Sequence, residues 1–274
     1  MQDACRKVSA VAALALLACG CRPDAAPAPA ARPAITDADL AAFLAANYGP
    51  EALPKTSWPG EDDGVALVRS VCASGSAPED PRRRWLLAVC TEVPDAGHAQ
   101  SGAIDAFVLA KETGGVRTLA SERGVAFGSG GQPGVVTLVR AGFDRPGFLL
   151  REAWTGQGYL IGTQSLVVFD GEQLRTVARL REALEHPDDA TCAAPPCTDA
   201  TFDVDFDLRL DATDPTRTAY PLLVHEHGRE CGATVDRDHR LEIDAATGTY
   251  RVPAALMRED CLLRPETNPG ESVP

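Results

Sequence analysis

Phe202–Asp211 reads FDVDFDLRLD, an alternation of apolar and charged residues that sets Phe202, Val204, Phe206, Leu208 and Leu210 on one face and Asp203, Asp205 and Asp207 on the other. A repeat of period two is the signature of a strand with one buried face. The next apolar run, Ala219–His227 (AYPLLVHEH), follows the turn-rich stretch Ala212-Thr213-Asp214-Pro215-Thr216. The two runs are expected to pair as a hairpin. One register sets Val204 against Val224, Phe206 against Leu222 and Leu208 against Tyr220, with Asp203 opposite His225. Sliding by two residues places Asp205 opposite His225 instead and keeps every face unchanged. An odd slip would turn the aspartates into the core, where desolvation forbids them. Asp203, Asp205, His225 and His227 therefore share an outer face in every tolerable register. They form either a charge-complementary surface or a site for zinc or another divalent cation, two imidazoles with one or two carboxylates being acceptable ligands.

Outward from this hairpin, short runs rich in Val, Leu, Thr and Phe recur along the chain. They are Gly64–Cys72, Trp85–Glu92, Ala103–Lys111, Gly115–Ser121, Gly134–Arg140, Phe148–Trp154, Gly158–Thr163, Ser165–Phe169, Gln173–Leu180, His239–Asp244 and Gly248–Val252. Gly, Asp and Pro punctuate them at intervals of roughly 8–12 residues, which favours a sandwich or meander over β-α-β units. Thr36 or Asp37 can cap one early helix carrying Leu40, Phe43 and Leu44, which ends before Gly49-Pro50. A second short helix is expected at Leu180–Leu184, stopped by Pro187. The fold class is thus mainly β, an antiparallel sandwich or meander with one short N-terminal helix. AFVLAKETGGVRTLA at 106–120 and LVVFDGEQLRTVA at 166–178 echo one another, as two copies of a unit or as two unrelated hairpins. A main domain over 35–185, a polar linker at 186–200, a smaller β subdomain at 201–264 and a tail at 265–274 complete the expected organisation.

At the N-terminus, Arg6 and Lys7 precede the apolar run Val8–Ala18, which ends at Leu16-Leu17-Ala18-Cys19. A run of this length suits a signal-peptide core and is too short to span a bilayer. The order resembles the lipobox of bacterial lipoproteins, with Cys19 favoured for lipidation and Cys21 competing. The resemblance implies cleavage after residue 18 and diacylglyceryl attachment. With Gly20 or Arg22 rather than Asp after the cysteine, it implies sorting to the outer membrane, periplasmic face. Arg22–Pro33 (RPDAAPAPAARP) then reads as a semi-stiff tether. At roughly 3 Å per residue it reaches about 30–40 Å.

The chain holds nine cysteines in all, and export to an oxidising compartment makes disulfides the expectation for Cys72, Cys90, Cys192, Cys197, Cys231 and Cys261. Six cysteines admit 15 pairings. Local context favours Cys72–Cys90, Cys192–Cys197 and Cys231–Cys261. The net charge of −13 argues against nucleic acid as a partner. No G-x-S-x-G, H-E-x-x-H, S-x-x-K or P-loop pattern occurs, so no catalytic residue is assigned. Trp154 and Tyr159 flank Thr155-Gly156-Gln157-Gly158 and can offer an aromatic contact surface. The best functional expectation is an anchored protein that binds an envelope protein or peptide, or maintains the envelope, with no cofactor. The alternatives are a metal-dependent periplasmic hydrolase centred on His225 and His227, and a protein inhibitor of a secreted enzyme.

Overall fold

The computed structural model describes residues 34–76, 80, 82–156, 158–186, 202–230 and 233–259. Helix α1 (Asp37–Tyr48) opens on a reciprocal cap. Thr36 Oγ1 accepts the Asp39 amide at 3.2 Å, and Asp39 Oδ2 accepts the Thr36 amide at 3.0 Å. It ends at Gly49, whose φ of 98° suits glycine.

Strands β1 (Ser57–Asp62), β2 (Val65–Ser76), β3 (Trp85–Glu92), β4 (Gly102–Glu112) and β5 (Gly115–Phe127) form a five-stranded antiparallel sheet in chain order. Strands β6 (Val135–Arg140), β7 (Pro146–Gly156), β8 (Tyr159–Phe169), β9 (Leu174–His186), β10 (Phe202–Leu210), β11 (Leu222–Glu230) and β12 (Ala233–Leu241) form a seven-stranded one, also a meander. The chain is mainly β with one α-helix among the described residues, as its alternations predict.

Three layers of contact bury these sheets. Leu87 and Val89 of β3 and Phe107 and Leu109 of β4 pack against Leu40 and Leu44 of α1. The opposite faces of the same strands, Leu86, Ala88, Ile104, Ala106 and Val108, meet Phe148, Val167 and Phe169 of the second sheet. That sheet's far face carries Leu166, Val168, Leu180, Val204, Phe206 and Val224, and the C-terminal residues Tyr250 and Leu256 cover it. Strands β3 and β4 are buried on both faces, which explains why they read as continuous apolar runs rather than alternations. Asp105 interrupts β4 at a bulge: it accepts the Tyr48 hydroxyl at 2.6 Å and the Gly124 amide at 2.6 Å, tying helix to sheet. Burial, and then the neighbouring Asp105, push the Tyr48 phenol well above its ordinary value.

Several boundaries differ from expectation. Leu180–Leu184 lies in β9, not in a helix. Residues four apart share a face in either structure, so the Leu180 and Leu184 spacing does not discriminate. Gly158–Thr163 and Ser165–Phe169 are one strand, β8, running through Gln164. The buried Gln164 amide donates to Arg181 O at 2.9 Å and Phe206 O at 2.8 Å. The last strand is Ala233–Leu241, and Gly248–Val252 supplies only the bridge Ile243↔Tyr250. Phe202–Asp205 pair with His186–Ala183, so β10 to β12 continue the seven-stranded sheet. The expected linker at 186–200 lies, apart from His186, outside the described residues. The two echoing segments are the β4–β5 and β8–β9 hairpins, one in each sheet.

Candidate functional site

The two sheets approach closely along one side and touch more sparingly, between β5 and β9, along the other. On the closed side β2 lies beside β6. Arg84, 1% exposed, bridges the layers there. Its Nε and Nη2 donate to Asp80 at 3.1 and 2.6 Å, Nη2 also reaches Asp144 in the β6–β7 turn, and the guanidinium lies 5.6 Å from the Phe169 ring centroid. On the other side β5 is the outer strand of its sheet, and Ser121–Gly124 are exposed although the β4 residues behind them are buried.

Between the sheets on this second side lies a cavity of about 170 Å³. Ile104 and Ala106 of β4 and Val125 and Phe127 of β5 form one wall. Phe148 and Leu150 of β7 and Val167 of β8 form the other. The rim is polar: Glu122, Glu152, Ser165, Thr176 and Arg179. Register explains the placement. Ala73, Ala88, Ala106 and Glu122 make one cross-strand row, and Leu150, Ser165 and Arg179 make another in the facing sheet. Directly opposed residues share a face. Glu122 therefore sits on the core-facing side of β5. Glu152 accepts the Gly128 amide at 3.0 Å and lies 3.5 Å from Arg179.

Loops beside an adjoining shallow groove hold one another. Gly131 N donates to Gln100 O at 2.7 Å, Ser129 Oγ to Ala153 O at 2.7 Å, and the His98 ring to the Thr155 carbonyl. Gly131 adopts a φ of 75°, and a Cβ there would fall 2.3 Å from Val93 O. A shallower groove continues past Glu152 to Trp154, which is 39% exposed. The Trp154 ring lies over Gly156, where a Cβ would come within 2.4 Å of it. Beside this groove, burial pushes the Glu182 carboxyl up despite the nearby Arg151. Tyr159 takes a different neighbour, stacking on the buried His186 with ring centroids 4.1 Å apart. Trp154 and Tyr159 thus contribute to separate environments.

The β10–β11 register differs from both expected ones by a further even slip. Asp205 opposes His227, Asp207 opposes His225, and Asp203 opposes Arg229. The cause is the loop. Tyr220, expected to pair with Leu208, instead donates its amide to Ala141 O at 2.8 Å and its hydroxyl to Pro215 O at 3.2 Å. The faces are those expected, but Asp203 is not beside His225. His227 contacts Asp207 at 3.2 Å, His225 contacts Asp238 of β12 at 3.0 Å, and the imidazoles lie 5.0 Å apart. Among the described residues, no three His, Cys, Asp or Glu side chains are arranged to hold a metal ion.

The inner face of β11 carries groups the sequence did not flag. Glu226 and Glu230 are 0% and 2% exposed. Arg258 donates to Glu226 at 2.8 Å and to Glu230 at 3.0 Å, and His239 meets Glu226 at 2.7 Å. The Arg258 guanidinium also covers the Phe206 ring. This ionic cluster fastens the C-terminal segment to the sheet.

Cys72 and Cys90 form a disulfide between β2 and β3, Cys72 being the extra residue of a bulge. Cys19, Cys21, Cys192, Cys197, Cys231 and Cys261 lie outside the described residues. No helix among the described residues is long and apolar enough to cross a membrane. Comparison with known protein families, characterised proteins and solved structures finds no match.

Proposed function

We propose that the domain is a binding module that takes a small apolar group into the cleft between its sheets, while a lipidated Cys19, or Cys21, holds it at the periplasmic face of the outer membrane. The cleft carries this reading. Protein interiors are packed to near-crystalline density, so an apolar space between two otherwise interlocked layers supports a site for an apolar group. Concave apolar sites rimmed by a few polar groups are the usual form of small-ligand sites. The groove leading to Trp154 supplies an approach from solvent. The anchor limb rests on the lipobox-like order ending at Cys19.

Two experiments test the limbs separately. The full chain carrying Cys19→Ser and Cys21→Ser is titrated with the neutral, single-ring probe fluorobenzene, followed by fluorine NMR, beside the same chain with Ala106→Leu, which places a larger side chain in the cleft wall. Saturable binding that weakens at least severalfold in the Ala106→Leu protein supports the cleft. Equal binding by both, or none by either, overturns it. For the anchor, labelled palmitate is incorporated into the wild-type chain and lost on Cys19→Ser. Label surviving in that variant moves the assignment to Cys21, and label surviving the loss of both cysteines removes the anchor.

A further inference from the structure

We propose that the cleft selects cationic amphiphiles, in which a single slender apolar group enters between the sheets and an amine or guanidinium remains at the rim. This rests on the cleft being the binding site and adds the class of ligand it takes.

The rim charges carry the argument. Two carboxylates and one guanidinium, from Glu122, Glu152 and Arg179, surround the opening. Glu152 is occupied by the Gly128 amide and, at 3.5 Å, by Arg179. Glu122 has no hydrogen bond or ion pair among the described residues, although its row places it on the core-facing side of β5. A cation entering the cleft therefore finds one unmatched carboxylate, with a second behind it. Arg179 could donate to an anion, but its side chain is 59% exposed and solvated, and Glu152 lies 3.5 Å away to repel that anion. The same anion would also meet Glu122 at the rim. The chain's net charge of −13 adds long-range attraction of the same sign.

Volume sets the apolar part. A cavity of about 170 Å³ is close to those that hold one benzene-sized group, so one ring or one short chain fits and a branched lipid does not. A carboxylate facing inward on an outer strand also guards that edge against pairing with other chains. The two roles separate on charge selectivity, which edge protection does not require.

The test uses the full chain with Cys19→Ser and Cys21→Ser, loaded with fluorobenzene and followed by its fluorine NMR signal. Hexylammonium, hexanoate and 1-hexanol, of equal chain length, are competed against the probe at pH 7. Hexylammonium is expected to displace it at a concentration about fivefold below hexanoate, the ratio one partly screened charge contact gives. Glu122→Gln should remove most of that preference and leave 1-hexanol unaffected. Raised salt should shrink it. Equal displacement by amine and carboxylate, or a preference unmoved by Glu122→Gln, overturns the cationic selection while the probe still reports an apolar cleft. Failure of the probe to bind at all overturns the cleft itself, and the selection with it.

Discussion

The same two sheets meet closely along β2 and β6 and more sparingly between β5 and β9, where an apolar space remains, and the residues on the two sides differ in kind. The closed side carries a buried ion cluster, Arg84 with Asp80 and Asp144, and, one strand in, the Cys72–Cys90 disulfide. The open side carries Glu122, Thr176 and Arg179, none of them buried, around an apolar space. Layers of this sort have no intrinsic reason to splay, because apolar faces gain by closing. Covalent and ionic ties fix one margin, and exposed charged side chains border the space at the other. An apolar space between the sheets accompanies this asymmetry.

The largest way to break the closed side is Arg84→Met. It leaves Asp80, whose side chain is 1% exposed, without its guanidinium. Stranding one member of a buried pair costs about 3–5 kcal/mol. Urea unfolding followed by tryptophan fluorescence measures this, and a loss below about 1 kcal/mol would mean that apolar packing alone holds the seam. The pH dependence has a definite sign. Burial pushes the Asp80 carboxyl up, but the bonds from Arg84 outweigh it, and the net value lies below the ordinary 3.8. A depressed carboxylate stabilises above its unfolded value and loses that contribution as pH falls through the folded one. The difference between wild type and Arg84→Met should therefore be full at pH 7 and shrink below pH 3.8.

Removing the disulfide by Cys72→Ala with Cys90→Ala comes next. For a separation of 18 residues, the loop-entropy model gives about 3 kcal/mol. Stability with and without reductant checks it, and an unchanged midpoint would show that the bulge and its ladder suffice. Non-reducing peptide maps of the same protein should return Cys72–Cys90, and they also decide Cys192–Cys197 and Cys231–Cys261.

How much of this was legible follows from where each signal resides. Thr36 and Asp39 announce the helix because capping is local. The alternation at Phe202–Leu210 fixes its faces because one side meets solvent. β1 was missed: Pro59 and Gly60 argue against a strand, yet both are tolerated where only β2 is a neighbour. Glu226 and Glu230 were not read as buried, since their partner Arg258 is distant in sequence and arrives only when the C-terminal segment folds back. Asp203 was grouped with His225 because parity is fixed by pattern but register is fixed by the loop around Tyr220. The cleft was invisible for a stronger reason. Its walls come from β4, β5, β7 and β8, each an ordinary apolar run, and only the mutual placement of two sheets leaves space between them.

The finest comparison uses two alanines that face each other across β3 and β4. Ala88 and Ala106 are directly opposed in the ladder and share the core-facing side. Ala88 is 0% exposed and has Ala73 of β2 as its other neighbour, toward the closed margin. Ala106 lines the cavity, with Glu122 beyond it. Ala88→Leu has no space to fill, and overpacking a well-filled core costs about 1–3 kcal/mol. Ala106→Leu adds the same atoms next to an existing void, where new contacts offset lost freedom, and the change should stay within about 1 kcal/mol of zero. Paired urea midpoints with equal slopes decide the matter. Equal large losses would mean that the open side is as tightly filled as the closed one, and the contrast between the two margins would not hold. A stability gain at Ala106 accompanied by weaker probe binding would sharpen it most, because the space would then be shown to be maintained at a cost in stability and used for a ligand.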